Sequence, residues 1–160
     1  MIVVADASPI CYLVLIGEIE VLSKLFGRIF LPQAVLAELS AEGAPAIVRE
    51  WAAHSPSWVS IVSLGTVSAA GLGVLQPGER ETICLAEALS AGLILLDEKS
   101  ARRVASGRGL KVTGVLGILA EAASRGLLDL PQAVDRLTRT SFRYSPALLK
   151  ELLDRFSGPQ

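Results

Sequence analysis

A chain of 160 residues is the size of one domain and can bury a full core without covalent staples. Its composition, 51% hydrophobic and 19% charged, suits a parallel sheet covered on both faces, and a net charge of −1 does not advertise nucleic-acid binding. No run reaches the roughly eighteen apolar residues of a membrane span, and the start lacks the basic region of a signal peptide, so a cytoplasmic protein with no membrane contact is expected.

The elements alternate from the start. The apolar run Ile2-Val3-Val4-Ala5 predicts a strand that Asp6 ends, and Ser8-Pro9 fits an N-cap with proline at the first helical position of a helix to about Ile16. Gly17 stops that helix, EIEVLSKLF makes a short second one closed by Gly27, and RIFLP reads as a strand. A helix begins at Pro32 with PQAVLAELSA, residues 44–54 read as helical, and WVSIVSL reads as a strand. The glycine-rich GTVSAAGLGVLQPG reads as a mobile loop. A strong helix, ERETICLAEALSA, then leads to the strand LILLD, a helix over Lys99 to Ser106, and the strand LKVTG. Helices near 115–124, 131–140 and 146–156 close the chain. The pattern predicts one α/β domain over 1–160, a three-layer sandwich on a parallel sheet, with its core over about 1–130 and C-terminal helices over 131–157.

Chemistry in such a chain falls to carboxylates. Cys11 and Cys84 sit in apolar helical patterns without metal-type spacing, and His54, the only histidine, lies in the polar stretch HSPS. A single histidine in a polar loop argues against triad chemistry.

Asp6 and Asp97 each close an apolar strand, and ligands of parallel sheets bind beyond the carboxyl ends of the strands. Each has a plainer role available: Asp97 can cap the helix from Lys99, and Asp6 the first helix, though Ser8 suits that task better. Two such aspartates on one sheet can point into one crevice. Glu81 falls in the first turn of its helix, where acids suit the dipole. It also heads the stripe Cys84, Leu85, Ala88 and Leu89, so it is expected to lead the buried face and project over the strand ends. Glu79, about 200° round the same helix, is expected to face away. Glu38 flanks the apolar side of its own helix beside Val35 and Leu39.

Clustered carboxylates repel one another and need a cation. Oxygen-only ligands favour Mg²⁺ or Mn²⁺, and such an ion polarises a phosphate and lowers the pKa of bound water. The residues alone therefore point to a metal-assisted phosphodiesterase. Lys99, Arg102, Arg103, Arg108 and Lys111 form a local basic run opposed only by Glu98, with Arg125, Arg136, Arg139, Arg143 and Lys150 further on. Such a run grips phosphates or is simply a solvated helix face.

Four stretches taken in order, VVADASPICYL, PQAVLAEL, GERETICLAEAL and LILLDEKSARRVA, resemble PIN-domain nucleases, in particular the VapC-like toxin subgroup with a GExEA-type middle helix. GLKVTGVLGILAEAASRGLL extends the likeness from residue 2 to about 130. The resemblance implies a five-stranded parallel sheet and single-stranded RNA cleavage dependent on Mg²⁺ or Mn²⁺. It implies Asp6, Glu38, Glu81 and Asp97 as the catalytic acids, with Asp6, Glu81 and Asp97 on the metal and Ser8 supporting the first acid. A homodimer is usual in that family, often a toxin restrained by a small antitoxin protein. Two departures stand out: glutamate replaces the commoner middle aspartate, with Glu79 competing for the role, and LLDEKSAR lacks the hydroxyl before the last acid, for which Glu98 or Ser100 compensates. Arg102 and Arg103 are expected to hold the RNA backbone. The departures also favour an alternative, an inactive PIN-like module that binds RNA or protein.

Overall fold

The computed structural model describes residues 1–65 and 72–157. Five strands, β1 (Val3–Ala5), β2 (Ile29–Pro32), β3 (Val59–Val62), β4 (Leu93–Leu95) and β5 (Val112–Thr113), form one sheet in the order β3-β2-β1-β4-β5. Every pairing is parallel. The chain steps outward from β1 through β2 to β3, then returns across β1 to lay down β4 on its other side. The crevice between β1 and β4 is thus the topological switch point of the sheet, where ligands of open α/β sheets bind.

Among the described residues the helices are α1 (Ala7–Leu15), α2 (Val21–Phe26), α3 (Gln33–Leu39), α4 (Ala46–Ala53), α5 (Pro77–Ala88), α6 (Lys99–Gly107), α7 (Val115–Ser124), α8 (Leu130–Thr138) and α9 (Pro146–Ser157). Side chains alternate across a strand, so each strand feeds two cores. Val3, Ala5, Ile29, Leu31 and Leu95 pack with α1, α7 and α8 on one face of the sheet. Val4, Ile94 and Leu96 pack with α5 and α6 on the other. A strand buried on both faces has no room for a polar residue, and β1 carries none until Asp6, where it leaves the sheet. Each fully buried aliphatic side chain, such as Ile10, Leu13 or Leu95, contributes roughly 1.5–3 kcal/mol.

The boundaries differ from the expected ones in ways that matter for the site. Helix α1 starts at Ala7, making Asp6 the N-cap by position and leaving Pro9 inside the first turn. Helix α5 starts at Pro77, two residues before the expected start, with proline at its N-terminus. Strand β4 ends at Leu95, so Asp97 lies two residues beyond it. Of the stretch expected to be a mobile loop, residues 66–71 lie outside the described residues. Leu130, Ala133, Val134 and Leu137 of α8 enter the same core as β1, so packing does not stop near residue 130. Cys11 and Cys84 are half-buried and in no disulfide among the described residues, and His54 is exposed at the end of α4. No described helix is long and apolar enough to cross a membrane.

Candidate active site

Asp6 occupies the middle of the sheet's carboxyl edge. Its backbone N–H donates to Leu95 O at 3.0 Å, holding it against β4 as the chain turns into α1. Although Asp6 stands at an N-cap position, its side chain caps neither of the next turn's amides. The carboxyl group is only 4% exposed. Burial pushes its pKa up to about 7, the Ala7 backbone N–H opposes that rise, and the charges of Glu38 and Glu79 add to it.

Glu38 and Glu79 arrive on α3 and α5. The approach of Glu38 to Asp6 depends on Gly78: a Cβ there would come within 2.9 Å of Glu38 Oε2 and 3.6 Å of Asp6 Oδ1. Glu38 is itself open to solvent, and its pKa is raised by partial burial and then by Glu79. Glu79 stands in the first turn of α5, where its Oε1 accepts from the Gln76 backbone N–H at 3.0 Å.

Of the stripe that Glu81 was expected to head, only Leu85 is buried, and the buried face of α5 is made of Gly78, Thr82, Ile83, Leu85 and Ala86. The charge of Glu81 acts on Cys84, while that of Glu79 reaches Asp6 and Glu38. Glu79 directly follows Gly78, the residue of α5 that packs against Glu38 and Asp6, in the first turn that Pro77 opens.

Thr82, absent from the expected set, is fully buried beneath Asp6. Its hydroxyl donates to Gly78 O at 2.7 Å and lies 3.5 Å from Asp6 Oδ1. A hydroxyl has one proton, and the shorter partner takes it. The longer contact therefore leaves Asp6 weakly satisfied by protein. Ser8, expected to support Asp6, lines two clefts at this edge.

Asp97 lies on the other flank. Its Oδ1 accepts from the Val115 backbone N–H at 3.0 Å, so it caps α7 rather than α6. Gly114 makes this approach possible, because a Cβ there would collide with Asp97 Oδ1 and sit 3.0 Å from Arg102 Nη1. Burial raises the Asp97 pKa, against the Val115 hydrogen bond and the positive charge of Arg102. Its Oδ2 is buried with no hydrogen-bond partner among the described residues. Glu98, at the N-cap position of α6, is exposed and lines the cleft beside Asp97. Arg103 is exposed on α6, and no described contact ties it to the acids.

The two clefts share Ser8 and Tyr12. One, of about 350 Å³, is walled by apolar residues including Leu39, Pro45 and Val48 and reaches Glu38 and Cys11. The other, of about 200 Å³, contains Asp97, Glu98 and Arg143. The donor set suits a hard divalent cation: it is made of carboxylate oxygens, and the unpartnered Asp97 Oδ2 is an acceptor such an ion would satisfy. Among the described residues, however, no three His, Cys, Asp or Glu side chains are gathered as a ligating group. The acids surround the crevice without closing on it.

A parallel α/β sandwich with carboxylates about its switch point defines an α/β domain with an acidic carboxyl edge. A family model described as PIN domain matches residues 2–158, and the chain belongs to that family. PIN domains are in general nucleases, a class of function that the acidic edge suits. No curated protein matches the chain.

Proposed function

We propose that this chain is an Mg²⁺- or Mn²⁺-dependent endoribonuclease that cleaves single-stranded RNA at the β1–β4 crevice. The observation that carries the proposal is Asp6, a buried carboxyl on the central strand that caps nothing and is faced by two further acids rather than a cationic side chain. Asp6, Glu38, Glu79 and Asp97 are the residues that would hold the ion. When bound, it would polarise the phosphate and supply hydroxide at neutral pH. Glu38, the most open of the four, is suited to orient the attacking water and receive its proton. Arg102, beside Asp97, and Arg103 supply positive charge for the RNA backbone.

Asp6→Asn tests the proposal directly. It removes one oxyanion while keeping shape, and Mn²⁺-dependent cleavage of single-stranded RNA should fall by on the order of 10²-fold or more. The thermal melt should hold or rise, because the buried acid and its repulsion are gone. Unchanged cleavage by the purified variant would end the proposal. A toxin role with a small antitoxin, a homodimer and a cytoplasmic location is proposed on the VapC-like motifs alone. Growth arrest on expression, relieved by the product of a neighbouring small reading frame, is the test.

One observation favours a second reading, a PIN-domain binding module without turnover: the described acids are not gathered into a ligating group. Mn²⁺ titration separates the two. An intact site is stabilised by RT ln(1 + [L]/Kd), whereas a module that binds RNA but not metal keeps its melting temperature.

A further inference from the structure

We infer that the turn Ser141–Arg143, between α8 and α9, belongs to the substrate site, and that Arg143 binds a backbone phosphate of the strand lying against Asp97. The inference rests on the nuclease reading above and adds a residue to it. Arg143 lines the same cleft of about 200 Å³ as Asp97, Glu98 and Ser8, although it lies well over a hundred residues from Ser8 along the chain.

The turn is tied down rather than loosely draped. Tyr12 Oη lies 3.1 Å from Ser141 Oγ, and the Tyr12 ring meets Phe142 edge-on, with centroids 5.2 Å apart at 80°. From within, the Phe142 backbone N–H donates to Thr140 Oγ at 3.2 Å, and that hydroxyl donates to Leu137 O at 2.6 Å. Tyr12 belongs to α1, the helix that starts directly after Asp6. The turn is therefore anchored to the same rigid element that leaves the central acid. Side chains fixed this way bind with less loss of conformational freedom.

Arg143 also differs from its neighbours in pairing. Arg125, Arg136, Arg139 and Arg155 form ion pairs with Glu121, Glu18, Asp135 and Glu151. Arg143 forms none among the described residues, although Asp97 and Glu98 line its cleft. An exposed arginine is ordinarily just solvated. One left unpaired on a braced turn, in the cleft of a buried acid, offers its full fork of donors to a phosphate. An anionic strand must approach these acids for cleavage, and a fixed cation at the rim offsets the repulsion it meets.

The test uses the full chain. Steady-state cleavage of a single-stranded RNA oligonucleotide with Mn²⁺ should show R143Q raising KM about tenfold with kcat within about twofold. Binding of the same fluorescent oligonucleotide, measured without divalent ion so that nothing is cut, should lose salt dependence by roughly 0.7 in slope, the value for one contact to a single strand. R143K should recover most of the affinity. Y12F, which loses the hydroxyl contact to Ser141 but keeps the ring, should show a smaller loss of the same kind. Wild-type KM and salt slope in R143Q would overturn the inference and leave the nuclease reading intact. A wild-type protein that binds but does not cut, with binding lost in R143Q, would keep the inference and remove the nuclease reading. Neither binding nor cutting by the wild type overturns both, and a fall in R143Q melting temperature that accounts for its lost binding assigns Arg143 a structural role.

Discussion

On the α3–α5 side of the crevice, Asp6, Glu38 and Glu79 act on one another with no salt bridge among the described residues. On the β4–α6 side, Asp97 has a backbone donor on one oxygen, Arg102 nearby and Arg143 in its cleft. The same chemical group is thus placed in two electrical settings a strand apart. Uncompensated acids call for a cation, and an acid rimmed by guanidinium groups suits the arrival of an anion. On the reading proposed above, both flanks would hold the ion, and the guanidinium groups beside Asp97 make that flank the one that receives the anionic strand.

That contrast can be broken most strongly by pH. The native Asp6 carboxyl, pushed up to about 7 from 3.8, keeps a proton that the unfolded chain releases. Its stabilising contribution is full below about pH 4 and is lost as pH rises through 7. Without divalent ions, thermal stability should therefore decline across this window, by a few kcal/mol, and Asp6→Asn should flatten the decline. A metal-free melt that climbs from pH 4 to 7, with Asp6→Asn following the same course, would contradict the electrical setting assigned to the acidic flank. Next in size is the other flank: Gly114→Ala forces a methyl against Asp97 Oδ1 and, at 3.3 Å, toward the Leu96 carbonyl. Denaturant titration should show a loss of about 1–3 kcal/mol.

The smallest effect sharpens the assignment within the acidic flank. Glu79→Gln should lower Mn²⁺-dependent cleavage about tenfold, the worth of roughly 1.4 kcal/mol, while Glu81→Gln should stay within about twofold. The opposite order would return the middle-helix role to Glu81.

Much of this arrangement was legible beforehand. Apolar runs punctuated by Asp6 and Asp97 placed both acids at one edge of a parallel sheet, because only a strand end lets a carboxylate leave a doubly buried strand. The choice between Glu79 and Glu81 was not, since the two lie about 200° apart on α5 and which side meets Asp6 is decided by packing against α3 through Gly78. Thr82 looked like one more polar residue on an amphipathic helix, and nothing local marks it as buried under Asp6. The bond between Tyr12 and Ser141 joins segments 129 residues apart, which no periodicity reports. Asp97 was expected, in its plainer role, to cap the helix from Lys99, but the helix it caps is α7, brought near by the pairing of β4 with β5.

The amide of Val115 gives that last feature a practical side. Because this N–H points at Asp97 Oδ1 from the first turn of α7, its resonance frequency is set by how much negative charge the oxygen carries. A ¹⁵N-labelled sample would thus contain its own voltmeter for the crevice, readable with no RNA cut and no side chain altered.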